Sequence, residues 1–223
     1  KERAQDIIAQ LQQQAGGETL ASNPLLLRLV VETVRGGQPL PTGRARLYRQ
    51  FLERWYIREA NKAKSAGRPL PWAVDQTLAA LSQLAFQTRL AGLRSVNRDQ
   101  AVGFLHDVVA DPTLFIDRMA QGLVLTCDFE GMIDFLHETF QEYLAAEFLI
   151  QNPESIKLIQ NSEKDKWSMT LAYTIELNPS PPPSLLEEIA KLDLWIAACA
   201  GNAHVLLRNN PTMDPLCREF VEI

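Results

Sequence analysis

Apolar residues return every three to four positions over most of the chain, the period of an α-helix with one buried face. Ile7, Ile8 and Leu11 share such a face in a first helix that runs to Gly16-Gly17. Asn23-Pro24 then places a cap before a proline at the first helical position, where its missing N–H costs nothing. Leu25, Leu26, Leu29, Val30 and Val34 continue that helix until Gly36-Gly37. Pro39-Leu40-Pro41-Thr42 is a rigid connector, with Thr42 as the next cap. Leu47, Tyr48, Phe51, Leu52, Trp55 and Tyr56 form a buried stripe on the long helix that follows. After the loop Ser65-Ala66-Gly67-Arg68-Pro69, Pro71 opens a helix carrying Val74, Leu78, Leu81, Leu84, Ala85 and Phe86.

Two shorter helices come next. Asn97 with Gln100 three residues on is a capping box, and Val102, Phe104, Leu105 and Val108 are the apolar positions behind it. Asp111-Pro112 caps the other, which carries Leu114, Phe115 and Met119. Past Gly122 the period changes to that of strands. Leu123–Cys127 and Met132–Phe135 flank Asp128-Phe129-Glu130-Gly131, a hairpin with glycine at its turn. His137 to Ile150 is helical again, so about 71–150 has the helix, helix, helix, hairpin, helix layout of a winged-helix unit. Beyond Asn152-Pro153 a helix around 167–177 meets the stiff Pro-rich run 179–183. Ser184 with Glu187 then caps a helix through Ile189, Leu192, Leu194 and Trp195. Gly201-Asn202 precedes a last short helix at 203–208. These helix pairs are of the kind that begin a solenoid, although no repeat period is present.

The fold class is therefore mainly α: a helical bundle plus a winged-helix domain with one short β-hairpin, then a further helical region. The divisions fall at 1–38 (small helical domain), 39–150 (winged helix, with a linking helix at 39–70 and the hairpin at about 123–135) and 151–223. The chain opens at Lys1 inside a helical pattern and closes inside an amphipathic segment, as expected of a piece of a longer protein.

Composition narrows the function classes. The 223 residues are 46% hydrophobic and 22% charged with a net charge of -5, an ordinary globular balance that does not favour polyanions. Cys127, Cys199 and Cys217 are too few and too far apart for a disulfide framework or a zinc knuckle, which points to a reducing, cytoplasmic setting. No apolar run reaches the ~20 residues of a membrane span. Charge is unevenly spread. Residues 1–68 hold 12 basic and 6 acidic side chains (net +6), residues 69–150 hold 4 and 11 (net -7), and residues 151–223 hold 6 and 10 (net -4). Arg44, Arg46, Arg49, Arg54 and Arg58 stand on one helix of the positive segment. They make either a solvated outer face or a surface for an acidic neighbour.

Enzyme signatures are missing. There is no GxxxxGK[ST] loop and no GxGxxG, so the chain alone cannot cradle a triphosphate and is not expected to be an enzyme. His137-Glu138 starts like a zincin helix, but Gln141 stands where the second histidine ligand belongs, and no metal site is expected. His106, His137 and His204 are scattered, and no GxSxG elbow or cysteine triad pattern is present. DNA reading by the winged helix is disfavoured. The helix 113–121 offers Asp117 against one cation, Arg118, and the wing tip carries Asp128 and Glu130. An acidic wing suits contact with protein.

The segment Asp134-Phe-Leu-His-Glu-Thr-Phe-Gln-Glu-Tyr-Leu-Ala-Ala-Glu-Phe-Leu149 resembles the winged-helix signature of NACHT-module NTPases, the signal-transduction ATPases that include the NOD-like receptors. Phe135, His137, Gln141, Glu142, Tyr143, Ala145 and Ala146 fall in register with that signature. Upstream, Ser22-Asn23-Pro24-Leu25-Leu26-Leu27 is similar to the NPLxL motif of the family's small helical domain. Leu40-Pro41 through Arg46-Leu47-Tyr48-Arg49-Gln50-Phe51-Leu52 is similar to the run that continues it. The three matches occur in the family's order and cover about residues 20–150.

The resemblance implies a regulatory role. His137 would contact the β-phosphate of ADP and Pro24 would pack on its adenine, both closing over an upstream nucleotide core in the same polypeptide. Exchange for ATP would open the module and permit self-oligomerisation and signalling. The phosphate loop, the acidic Mg²⁺ box and the sensor region would all lie upstream, so any hydrolysis belongs to the parent protein. Gln141, one turn after His137, is a candidate to orient it, whereas Phe140, Tyr143, Leu144 and Phe148 read as core. The alternatives are a helical interaction scaffold with no nucleotide role and, less favoured, a DNA-binding regulator.

Overall fold

The computed structural model describes residues 24–35, 44–121, 124–160, 163–178, 180–193 and 196–197. The side chains of residues 24–26, 32, 34–35 and 164 lie outside this description. So do the helix expected around 7–11, the connector 39–42 and the helix at 203–208, while the helix expected to run on to Trp195 ends at Leu192, where Asp193 turns extended.

The described residues are mostly helical with one two-stranded antiparallel hairpin, the mainly-α architecture the periodicity predicts. In chain order they form α1 (Pro24–Arg35), α2 (Arg44–Ser65), α3 (Val74–Leu90), α4 (Arg98–Leu105) and α5 (Pro112–Gln121). Then come β1 (Leu125–Cys127), β2 (Ile133–Phe135), α6 (Glu138–Gln151), a 3-10 turn (Pro153–Leu158), α7 (Lys164–Leu177) and α8 (Pro183–Leu192).

Several starts and stops follow the local chemistry. Pro24 is the first residue of α1. Asn97 and Gln100 exchange their bonds as a capping box at α4, each at 2.9 to 3.0 Å. Asp111 caps α5 by accepting the Leu114 N–H at 2.9 Å. Two expectations fail. Helix α3 starts at Val74 rather than Pro71. The Trp72 carbonyl is taken by the Tyr56 hydroxyl and its ring sits edge-on to Phe115 at 5.0 Å, so residues 71–73 are tied to other elements. At α8 the cap is Pro182 with no side-chain bond, because Pro183 already holds a helical φ at the first position. Ser184 is thereby drawn into the first turn, where its hydroxyl cannot cap.

The hairpin pairs Leu125 with Phe135, Thr126 with Asp134 and Cys127 with Ile133. Asp128 Oδ1 accepts the N–H groups of Glu130 (2.9 Å) and Met132 (2.8 Å), and Gly131 takes φ +78°, a region that favours glycine. One pairing was not legible in the periodicity. Val96 and Ile133 exchange two backbone bonds of 2.9 and 2.7 Å, so the segment before α4 lies along the outer edge of β2.

Helix α6 lies between α3 and α7, and α2 packs on both α6 and α7. Tyr48 of α2 meets Phe140 at 5.4 Å and Tyr143 at 5.5 Å on α6, and Tyr173 at 5.8 Å on α7. On the other flank, Phe86 of α3 stacks on Phe148 at 4.4 Å and leans on Trp167 at 5.5 Å. Such ring pairs add about 0.5–1.5 kcal/mol each to the area they bury. Ala145 and Ala146 are fully buried, letting neighbouring helices approach α6 closely. The core runs as one cluster from Leu29 of α1 to Ile189 and Leu192 of α8.

Candidate functional site

The strand β2 delivers the chain to α6 through Leu136 and His137, and His137 is the cap of that helix, with extended dihedrals of φ -151° and ψ 143°. Its ring is exposed. Nδ1 accepts the backbone N–H of Thr139 at 3.2 Å and lies 2.9 Å from the Thr139 hydroxyl. A ring nitrogen that accepts from a backbone N–H carries no hydrogen, so in the neutral imidazole the hydrogen sits on Nε2. Among the described residues nothing engages Nε2, leaving a donor free at the start of a 14-residue helix. The helix dipole there favours anions.

Gln141 does not orient this ring. It is 3% exposed, points among the helices, and its Nε2 lacks a hydrogen-bond partner in the described structure. Thr139 does the orienting instead. Two residues from the histidine, it has both a backbone donor and a hydroxyl within reach, whereas a side chain one full turn on has turned toward the core.

Beside the α6 start, a cleft of about 270 Å³ opens between α3, α6 and α7, lined by Arg89, Arg94, Glu138, Gln141, Glu142 and Lys166 among others. The Arg89 side chain is only 8% exposed. It donates to the Lys166 carbonyl, lies 5.6 Å over the Trp167 ring, and stands 3.8 Å from Glu142 and 3.9 Å from Glu138. Those separations are too long for bidentate hydrogen bonds, and Nε of Arg89 has no partner. Burial lowers the Arg89 pKa although both glutamates oppose the change. Burial likewise raises the Glu142 carboxyl pKa, against the pull of Arg89 and helped by Glu138. Desolvation outweighs pairing on both sides, as expected where charges are taken out of water without close bonds.

At the start of α6 the exposed His137 ring and the helix dipole suit an anion. His137 Nε2–H is the exposed donor there, whereas Gln141 Nε2 and Arg89 Nε are buried, and the neighbouring cleft is lined by the carboxylates Glu138, Glu142 and Asp165 as well as by cations. Among the described residues no group of three His, Cys, Asp or Glu side chains is arranged to hold a metal ion. No helix of these residues is long and apolar enough to cross a membrane.

Pro24 belongs to another element. It opens α1, which packs on α2, and its side chain lies outside the described residues. The sequence motifs did not bring Thr139, Arg89 or Trp167 to notice. Arg89 is 77 residues from the carbonyl it bonds, a contact that no local pattern encodes. Its one visible signal was a cation in the last turn of α3, which also suits the helix dipole.

No protein-family model matches the chain, and no curated protein is significantly similar to it.

Proposed function

We propose that the chain is the regulatory part of a NACHT-type signal-transduction NTPase, closing over ADP bound to an upstream core and opening on exchange for ATP. The observation that carries this reading is His137: exposed, held as a helix cap by Thr139, with Nε2–H directed away from its own cap bond. The residues fit an anionic group. His137 and the first turn of α6 would hold a phosphate oxygen, and Pro24 would meet the base by the same resemblance. Bound ADP supplies the negative charge that joins the two parts of the module. His137 supplies a charge-assisted bond of about 1.5–3 kcal/mol that exists in the closed state alone, and this differential contact makes a switch. The parent protein would be an ATPase that oligomerises when open, while this chain has no phosphate loop of its own. A cytoplasmic setting follows from the same reading.

DNA recognition draws no support from the surface. Asp117 of α5 is held by Arg98 at 2.5 Å, and Arg118 lines a cleft against the end of α2. Asp128 and Glu130 are exposed at the wing.

The test is His137→Ser in the full polypeptide with its nucleotide core. Serine keeps an oxygen to cap α6 but removes the outward donor. ADP retention should fall by about 10- to 100-fold, with higher basal signalling and an unchanged melting temperature. Unaltered ADP retention would reject the latch and leave the interaction-scaffold reading in its place.

A further inference from the structure

The wing tip and the end of α2 are complementary in charge, and each exposes an apolar side chain. Phe129 is 111% exposed, a whole aromatic ring held in solvent by a turn that Asp128 pins with two hydrogen bonds. Asp128 and Glu130 flank it, and among the described residues neither carboxylate pairs with a cation. A ring on a floppy loop would fold back onto apolar surface; this one is presented. Its complement lies elsewhere on the same chain. An open groove of about 830 Å³ runs along the last turns of α2, lined by Ile57, which is 57% exposed, and by Arg58 and Lys62 among others. Those two cations share one carboxylate, Glu59, at 3.3 and 2.8 Å, so the three together keep a surplus of positive charge.

We infer that the wing tip of one copy docks in the α2 groove of a second copy, Phe129 over Ile57 and the wing carboxylates against Arg58 and Lys62. This inference does not depend on the nucleotide reading. The contact is heterologous, using two different patches, so it builds a ring or an open row rather than a two-fold dimer. An aromatic side chain buries about 150–250 Å², far below the ~1,200 Å² of a stable interface. The docking is therefore weak in the isolated chain, and it is read by crosslinking.

The experiment places the photoreactive amino acid p-benzoylphenylalanine at position 129 of the full chain and mixes isotope-labelled with unlabelled copies before illumination. Crosslinks from position 129 to residues 57–66, in peptides that combine the two isotopes, are expected. Adding Glu130→Arg should lower their yield about fivefold, and adding Arg58→Glu to that variant should recover it, as like charges become opposite ones again. Thermal melts of the substituted chains identify any loss of fold, and the charge swap is read in those that melt as the parent does. Crosslinks confined to one copy, crosslinks to another surface, their absence at millimolar chain, or a yield indifferent to the charge swap would each overturn the inference.

Discussion

Glu142 shows how a motif position can be visible in sequence while its physics is not. It falls in the Gln-Glu-Tyr run that follows His137, yet it is 9% exposed and its nearest cation stands off at 3.8 Å. Burial raises its pKa above the ordinary 4.5, and this direction already includes the attraction of Arg89. The sign follows. A folded carboxyl that holds its proton more tightly than the unfolded one adds stability at low pH. That stability is lost as pH rises from about 4.5 through the raised folded value. Glu142→Gln, a neutral isostere, should raise the melting temperature at pH 7 and flatten its fall with pH over that window. A lower melting temperature at pH 7 would mean that pairing with Arg89 outweighs desolvation. The position of His137 at a strand–helix junction was legible because the period changes there. The Thr139 bond was not, since it depends on the cap dihedrals.

At the scale of elements, periodicity located the helices because each has an apolar stripe. It missed the start of α3, which distant partners set, and that of α8, where Pro183 already holds a helical φ. Trp72 is anchored by Tyr56 and Phe115, 16 and 43 positions away, and nothing around Pro71 announces this. The Val96 bridge was illegible for the same reason, being a single residue on a strand edge. The α3–α6–α7 sandwich, by contrast, rests on Phe86 and Phe148, which the sequence places on buried faces, together with Trp167, which it did not single out. Phe86, fully buried between Phe148 and Trp167, is the residue all three helices share. Phe86→Ala should cost about 3–5 kcal/mol, transfer and cavity terms together, as measured by chemical denaturation. A loss under 1 kcal/mol would show that the three helices close up over the missing ring.

For the whole molecule the open question is whether the winged-helix unit ends where its sequence pattern ends, near 150. The last helix of that pattern is α6, but α6 is covered on one side by α7, and α2 packs on both. Trp167, Leu171 and Tyr173 of α7 are all buried, and their neighbours include Phe86, Tyr48 and Tyr143, which belong to the earlier unit. Each such side chain contributes about 1.5–3 kcal/mol when fully buried. Three of them together rival the ~5–15 kcal/mol that holds a whole domain folded. A chain cut after Gln151 should therefore keep helical circular dichroism but lose cooperative unfolding and bind a hydrophobic dye. A chain cut after Asn178, which retains α7, should melt in one transition. If instead the shorter chain melts cooperatively within a few degrees of the full one, the core divides at 150 and α7 is a separate layer resting on it. The magnitudes favour the first outcome, because an unfolded α7 would leave Phe86 and Tyr48 open to water on the face where they now meet Trp167 and Tyr173.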